Sequence, residues 1–131
     1  RAALEGLMRA DPDSLHAVEA LALGEAPASV AMGLGVSLRS LQRRLRGFGL
    51  PPPEFWRLLG RARAAAVALD AERPLAELAA DLGYSDQAHL TRELVRWFGA
   101  PPRRLRAAPQ HLAAIRQPGL GNWTTEQSST R

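Results

Sequence analysis

Arginine, glutamine, serine and histidine recur in this sequence at helical spacing, a set suited to hydrogen bonding with an anionic partner rather than to bond-making catalysis. Between Ser37 and Phe48, the apolar residues Leu38, Leu41, Leu45 and Phe48 fall at intervals of three and four. They mark the inner stripe of an amphipathic helix and leave Arg39, Ser40, Gln42, Arg43 and Arg46 on the outer side. Between Ser85 and Phe98 the same analysis turns Leu90, Leu94, Val95 and Phe98 inward. Gln87, Ala88, His89, Thr91, Arg92 and Arg96 face outward. An arginine can donate two parallel hydrogen bonds to guanine O6 and N7, and a glutamine can bond adenine in the same two-point way. Both groups, with serine hydroxyls, also bind phosphate oxygens.

Other chemistries find little support. There is no cysteine, which removes disulfides, thiolate metal sites and a cysteine nucleophile together. His16, His89 and His111 are scattered without a second ligand at metal spacing, so neither metal nor cofactor is expected. No serine, histidine and acid sit in a pattern that would expose a nucleophile beside an oxyanion hole, so an enzyme is not expected. Trp56 and Trp97 fall near apolar helix faces and are expected in the core. Trp123 lies in a weakly patterned tail, and Glu77 reads as half of a structural ion pair with an arginine of the connecting helix.

The elements that must carry the outward residues are all helical. Glycines, prolines and capping residues delimit helices over about Asp13 to Leu23 (capped by Asp11 or Asp13, stopped by Gly24), Ala28 to Leu34 and Ser37 to Phe48. A long helix follows from Pro53 to about Ala71, then a short one from Pro74 to Leu82 and a longer one from Ser85 to Phe98. Pro101 and Pro102 open a further turn through Ala107, and Pro109 to Gln117 has helical character. The expected fold is all-α, with about seven helices and two helix-turn-helix subdomains joined by the long helix.

An internal repeat ties these elements together. Leu34-Gly35-Val36-Ser37 returns 48 residues later as Leu82-Gly83-Tyr84-Ser85. Leu41, Arg43 and Leu45 return 49 residues on as Leu90, Arg92 and Leu94, and Gly49 returns 50 residues on as Gly99. A slip of one residue inside each helix would account for the drift. Each copy is a short helix, a glycine turn and a longer serine-capped helix, the helix-turn-helix pattern whose second helix enters the major groove of DNA. A connecting helix from Pro53 to Leu69 would span about 25 Å, enough to set two such helices in successive grooves about 34 Å apart, with some bending of the duplex.

Charge is distributed accordingly. The chain carries +4 overall, all of its cations being arginine. Residues 28–107 hold thirteen arginines against seven acids, a local +6, whereas residues 1–27 are at −3. A basic block between more neutral ends calls for a polyanionic partner. Three segments follow: 1–27 as lead-in and first helix; 28–107 as the double helix-turn-helix; and 108–131 as an extension ending in a loose tail. A start at Arg1 rather than methionine reads as a fragment of a longer protein. No membrane span or leader segment is expected.

From about Ala28 to Arg106 the chain resembles the AraC/XylS transcriptional regulators. The resemblance rests on Leu34-Gly35-Val36-Ser37 with Leu41 and Arg43, on Arg61, Ala65 and Leu69, and on Pro74-Leu75-Ala76-Glu77-Leu78-Ala79. It continues through Leu82-Gly83-Tyr84-Ser85-Asp86-Gln87-Ala88-His89-Leu90, then Arg92, Phe98-Gly99, Pro101 and Leu105-Arg106. It implies seven helices, sequence-specific binding of double-stranded DNA by the third and sixth, and base reading by Arg39, Gln42 and Arg43 and by Ala88, His89 and Arg92. Backbone contacts would fall to Ser37, Ser40, Arg46, Ser85, Gln87, Arg96, Arg103 and Arg104. Leu45 stands where the family usually has Phe. Ala88 offers no hydrogen bond and is left a thymine methyl or the DNA backbone to meet. A regulator of this kind acts in the bacterial cytoplasm on the nucleoid, meets RNA polymerase if it activates, and dimerises through a separate domain, leaving this piece a monomer. Two rival readings of the same pattern are a helical protein–protein adaptor and the DNA-binding appendage of a repair enzyme.

Overall fold

The computed structural model describes residues 2–70 and 72–116, and every described element is helical. Nine α-helices are present among these residues: α1 (Ala2–Arg9), α2 (Pro12–Ala22), α3 (Pro27–Gly33), α4 (Leu38–Gly47), α5 (Pro53–Val67), α6 (Leu75–Asp81), α7 (Gln87–Phe98), α8 (Pro102–Arg106) and α9 (Pro109–Arg116). A 3-10 turn, Ala68–Asp70, continues from α5. The chain divides between Arg61 and Ala62, within α5, into two compact units. The expected loose tail and Trp123 lie outside the described residues.

In the first unit, α2 starts where Asp11 accepts a hydrogen bond from the Ser14 amide at 2.7 Å, with Pro12 supplying the first helical residue. Its inner face buries Ala17, Val18 and Leu21 beside Val30, Ala31, Leu41, Leu45, Trp56 and Leu59. Each buried leucine contributes about 1.5–3 kcal/mol relative to exposure. Trp56 is fully buried and donates from Nε1 to the Pro51 carbonyl at 3.0 Å, which satisfies its one polar atom. Gly60 lets α5 approach α2 so closely that a side-chain carbon there would lie 2.0 Å from the Ala22 carbonyl oxygen.

Helix α1 was absent from the sequence expectation, which began the first helix at Asp13. It is held to the end of α4: a carbon added at Gly6 would lie 2.4 Å from the Phe48 carbonyl oxygen, to which Arg9 donates at 3.2 Å. Leu7 is buried, and Asp11 pairs with Arg44 of α4 at 3.5 Å.

The second unit packs Leu69, Leu78, Ala79, Leu90, Leu94, Trp97, Phe98 and Leu105 into one core, closed by Leu112 and Ile115 of α9. The 3-10 turn packs against α8. Arg106 fastens this end by donating to the carbonyls of Leu69 at 2.9 Å and Arg73 at 3.1 Å. Arg73 is ion-paired with Asp81. Glu77, expected to pair with an arginine of the connecting helix, is exposed instead. Trp97 donates to Glu93 at 2.8 Å, and both Trp56 and Trp97 are core residues.

Candidate nucleic-acid interface

The two helix-turn-helix units are built by the same local devices. Helix α3 ends in a turn where the Val36 amide donates to the Ala31 carbonyl and the Gly35 amide to the Met32 carbonyl, both at 3.0 Å. Helix α6 ends alike, with Tyr84 donating to Ala79 at 2.9 Å and Gly83 to Ala80 at 3.3 Å. Both motifs need a residue in the left-handed region, supplied by Gly35 at φ +71° and Gly83 at φ +83°. A side chain at either position would strain the turn that aims the next helix.

The following helices start differently. Ser37 caps α4 by accepting from the Ser40 amide at 3.1 Å. In the second unit the cap is Asp86, not Ser85: the Asp86 carboxylate accepts from the His89 amide at 2.7 Å, and α7 begins at Gln87. The first slip of the repeat thus lies in the turn, which is one residue longer in the second unit, and not inside the helix. The added residue is Ser85, because Tyr84 repeats the place of Val36; Tyr84 is buried, and its ring meets the His89 ring edge-on at 5.1 Å.

On α4, Leu41 and Leu45 are fully buried and anchor the helix, while Arg39, Gln42, Arg43 and Arg46 are exposed. Leu38, expected inside, is 37% exposed and sits at the margin of the apolar stripe. Ser37 and Ser40 share a hydroxyl hydrogen bond at 3.0 Å, and Arg43 reaches the Ser40 oxygen at 3.5 Å, so part of the polar face is organised before any ligand arrives.

On α7, Leu90, Leu94, Trp97 and Phe98 form the buried face, and Gln87, Ala88, Arg92 and Arg96 are exposed. Val95, expected inside, is 45% exposed: Trp97 takes the inner position and leaves Val95 on the outer surface. The Arg96 guanidinium lies 5.0 Å from the Trp97 ring centroid. His89 is drawn back along its own helix. Its Nδ1 accepts from the Ser85 amide at 3.1 Å, the Ser85 hydroxyl lies 3.2 Å away, and Nε2 lies 3.7 Å from Glu93. An Nδ1 that accepts leaves the proton on Nε2, so a base reached by His89 would have to meet that nitrogen in competition with Glu93.

The arginines separate into two groups that composition could not distinguish. Arg44, Arg57 and Arg73 pair with Asp11, Glu54 and Asp81, and Arg106 is bound to two carbonyls. Hydrogen bonding from Arg57 holds the Glu54 carboxyl below its usual range, and the same bond raises Arg57. Among the described residues no carboxylate pairs with Arg39, Arg43 or Arg46 on α4, with Arg92 or Arg96 on α7, or with the exposed Arg103 and Arg104 of α8. Each unit therefore presents cations on the solvent face of its turn-preceded helix, the side left free by the buried leucines. Among the described residues there is no group of side chains suited to hold a metal ion, and no helix long and apolar enough to cross a membrane.

Comparison with known proteins places these elements in a family. The sequence model of a helix-turn-helix domain matches residues 30–108, which takes in both turns and both capped helices. Two curated relatives, each named HTH-type transcriptional regulator VirS, come from Mycobacterium tuberculosis strains CDC 1551 / Oshkosh and ATCC 25618 / H37Rv. Each is 39% identical over 79 residues, covering 60% of this chain and 23% of the relative. The matched segment thus spans about a quarter of the relatives' length. No solved structure matches the chain.

Proposed function

The chain belongs to the AraC-type helix-turn-helix family, and from that premise we propose that it is the DNA-binding part of a bacterial transcriptional regulator that reads double-stranded DNA through α4 and α7. The observation that carries this reading is the partition of the arginines. Ion pairs and carbonyl bonds engage Arg44, Arg57, Arg73 and Arg106, while the exposed arginines of α4 and α7 face no carboxylate among the described residues. Leaving Arg39, Arg43 and Arg46 uncompensated on one ten-residue helix costs self-repulsion, which a phosphate backbone relieves on binding.

In this reading Arg39, Gln42 and Arg43 on α4, and Ala88, His89 and Arg92 on α7, face base edges in successive major grooves. Ser37, Ser40, Arg46, Ser85, Gln87, Arg96, Arg103 and Arg104 meet the backbone. Affinity comes largely from arginine–phosphate contacts and falls steeply with salt. The same reading puts the protein in the cytoplasm, and brings RNA polymerase alongside if the regulator activates.

Selection of bound sequences from a random duplex library tests it, followed by fluorescence anisotropy of the enriched sites at several salt concentrations. Two enriched blocks about ten base pairs apart are expected. One block alone would reduce one helix to a backbone grip. Binding without enrichment that is lost at moderate salt would refute sequence reading and leave a nonspecific basic surface.

A further inference from the structure

The two reading helices carry the same anchors and different outer faces. Leu41 and Leu90, and Leu45 and Leu94, are fully buried, so the helices superpose in sequence at an offset of 49 residues. In that register Arg39, Arg43 and Arg46 correspond to Ala88, Arg92 and Val95. Positions spaced i, i+4 and i+7 share one helix face, and all six residues are exposed. One helix thus presents three guanidinium groups in a row. The other presents one guanidinium with a methyl-bearing side chain a turn to either side.

Val95 is the informative residue. It is 45% exposed in a helix whose core is already filled by Leu90, Leu94, Trp97 and Phe98. Along the helix Ala88 and Arg92 are separated by about 6 Å and Arg92 and Val95 by about 4.5 Å, at 1.5 Å per residue. At 3.4 Å per base step the three side chains cover about three steps. In the major groove the single apolar group is the thymine 5-methyl, and aliphatic side chains recognise it by contact alone.

We infer that α7 reads thymine methyl groups flanking the base taken by Arg92, with Val95 a specificity-determining residue, while α4 reads by hydrogen bonding only. This rests on the proposed DNA reading and specifies the base chemistry of one of its helices. The operator is then chemically asymmetric: one block depends on thymine methyls and the other does not.

Uracil in place of thymine removes the methyl and nothing else. The experiment is an anisotropy scan of the selected operator, each thymine replaced in turn by deoxyuridine, with the full chain and its Val95→Ala variant. At least one position should cost the unmodified protein about fourfold in affinity, the equivalent of about 0.8 kcal/mol for one buried methyl-sized group. The same position should cost Val95→Ala clearly less, because the variant has lost both γ-methyl groups. Val95 is exposed, and the far-ultraviolet circular dichroism of the variant checks that its fold is retained. Equal tolerance of uracil at every position by both proteins would overturn the inference and leave sequence-specific binding standing. Failure to enrich any sequence in the preceding selection would overturn both.

Discussion

Replacing Gly60 by alanine sets two effects of opposite sign against each other. Gly60 lies inside α5, where alanine is preferred over glycine by about 1 kcal/mol through chain entropy. Against that, the new carbon would stand 2.0 Å from the Ala22 carbonyl oxygen, 2.7 Å from its carbon and 3.0 Å from its Cα. Carbon–oxygen contacts settle near 3.3–3.6 Å, so α2 and α5 must part by more than about 1 Å. All three obstructing atoms are backbone and cannot rotate aside. A gap of that size forfeits up to about half of the dispersion energy along the seam, where Leu21, Trp56 and Leu59 are buried. Overpacking typically costs about 1–3 kcal/mol, and a backbone obstruction belongs at the upper end. The net expectation is a loss of about 2 kcal/mol, or a fall in Tm of at least about 5 °C. Thermal and urea unfolding followed by circular dichroism measures it. Gly33→Ala is the control, because Gly33 is helical with nothing within 4 Å of the added carbon; propensity alone should leave that variant unchanged or slightly more stable. A Gly60→Ala protein as stable as the parent would refute the close approach of α2 and α5.

Arg43→Ala and Arg92→Ala should each weaken binding to the selected operator by about 1–3 kcal/mol and relax preference at one block; unchanged sequence profiles in both would show that the reading faces are misassigned. Arg104→Ala should weaken binding across all sequences and lower the salt slope by about one, as expected for a phosphate contact. Arg106→Ala should leave that slope alone and lower thermal stability instead, because its guanidinium is bound to the Leu69 and Arg73 carbonyls; the two readouts trading places would reverse the assignment. Hydrogen bonding from Ser14, and then the Arg44 charge, hold Asp11 below the usual carboxylate range. Its contribution to stability is therefore complete above the unfolded carboxylate pKa and is lost as pH falls through the lower folded value. In Asp11→Asn that share of the acid-induced loss should vanish from a pH series of unfolding curves; an unaltered acid limb would contradict the capping role.

Much of the framework was legible because it depends on neighbours along the chain. A glycine at φ +71° or +83° closing a helix, a serine capping the next one, and leucines at intervals of three and four are decided within a few residues, so the helix-turn-helix could be recognised twice from its own letters. The same locality explains one error. Ser85 and Asp86 are both good caps, and the structure spends one more residue in the second turn, so that Asp86 and not Ser85 accepts from the first turn of α7. Leu38 and Val95 were misplaced for a related reason: periodicity locates the centre of an apolar stripe, whereas its margins depend on which neighbours fill the core.

The all-helical repeat and the charge of the polar faces follow from residue order alone, since periodicity, capping and composition act through local backbone physics. Tertiary structure alone decided that α1 is held against the end of α4, because nothing in residues 2–9 announces the carbonyl of Phe48 that Gly6 and Arg9 approach. It also decided which arginines serve the fold and which stand uncompensated. A guanidinium reads the same in sequence whether it meets Asp81, the Leu69 carbonyl or solvent; only the positions of distant partners tell them apart.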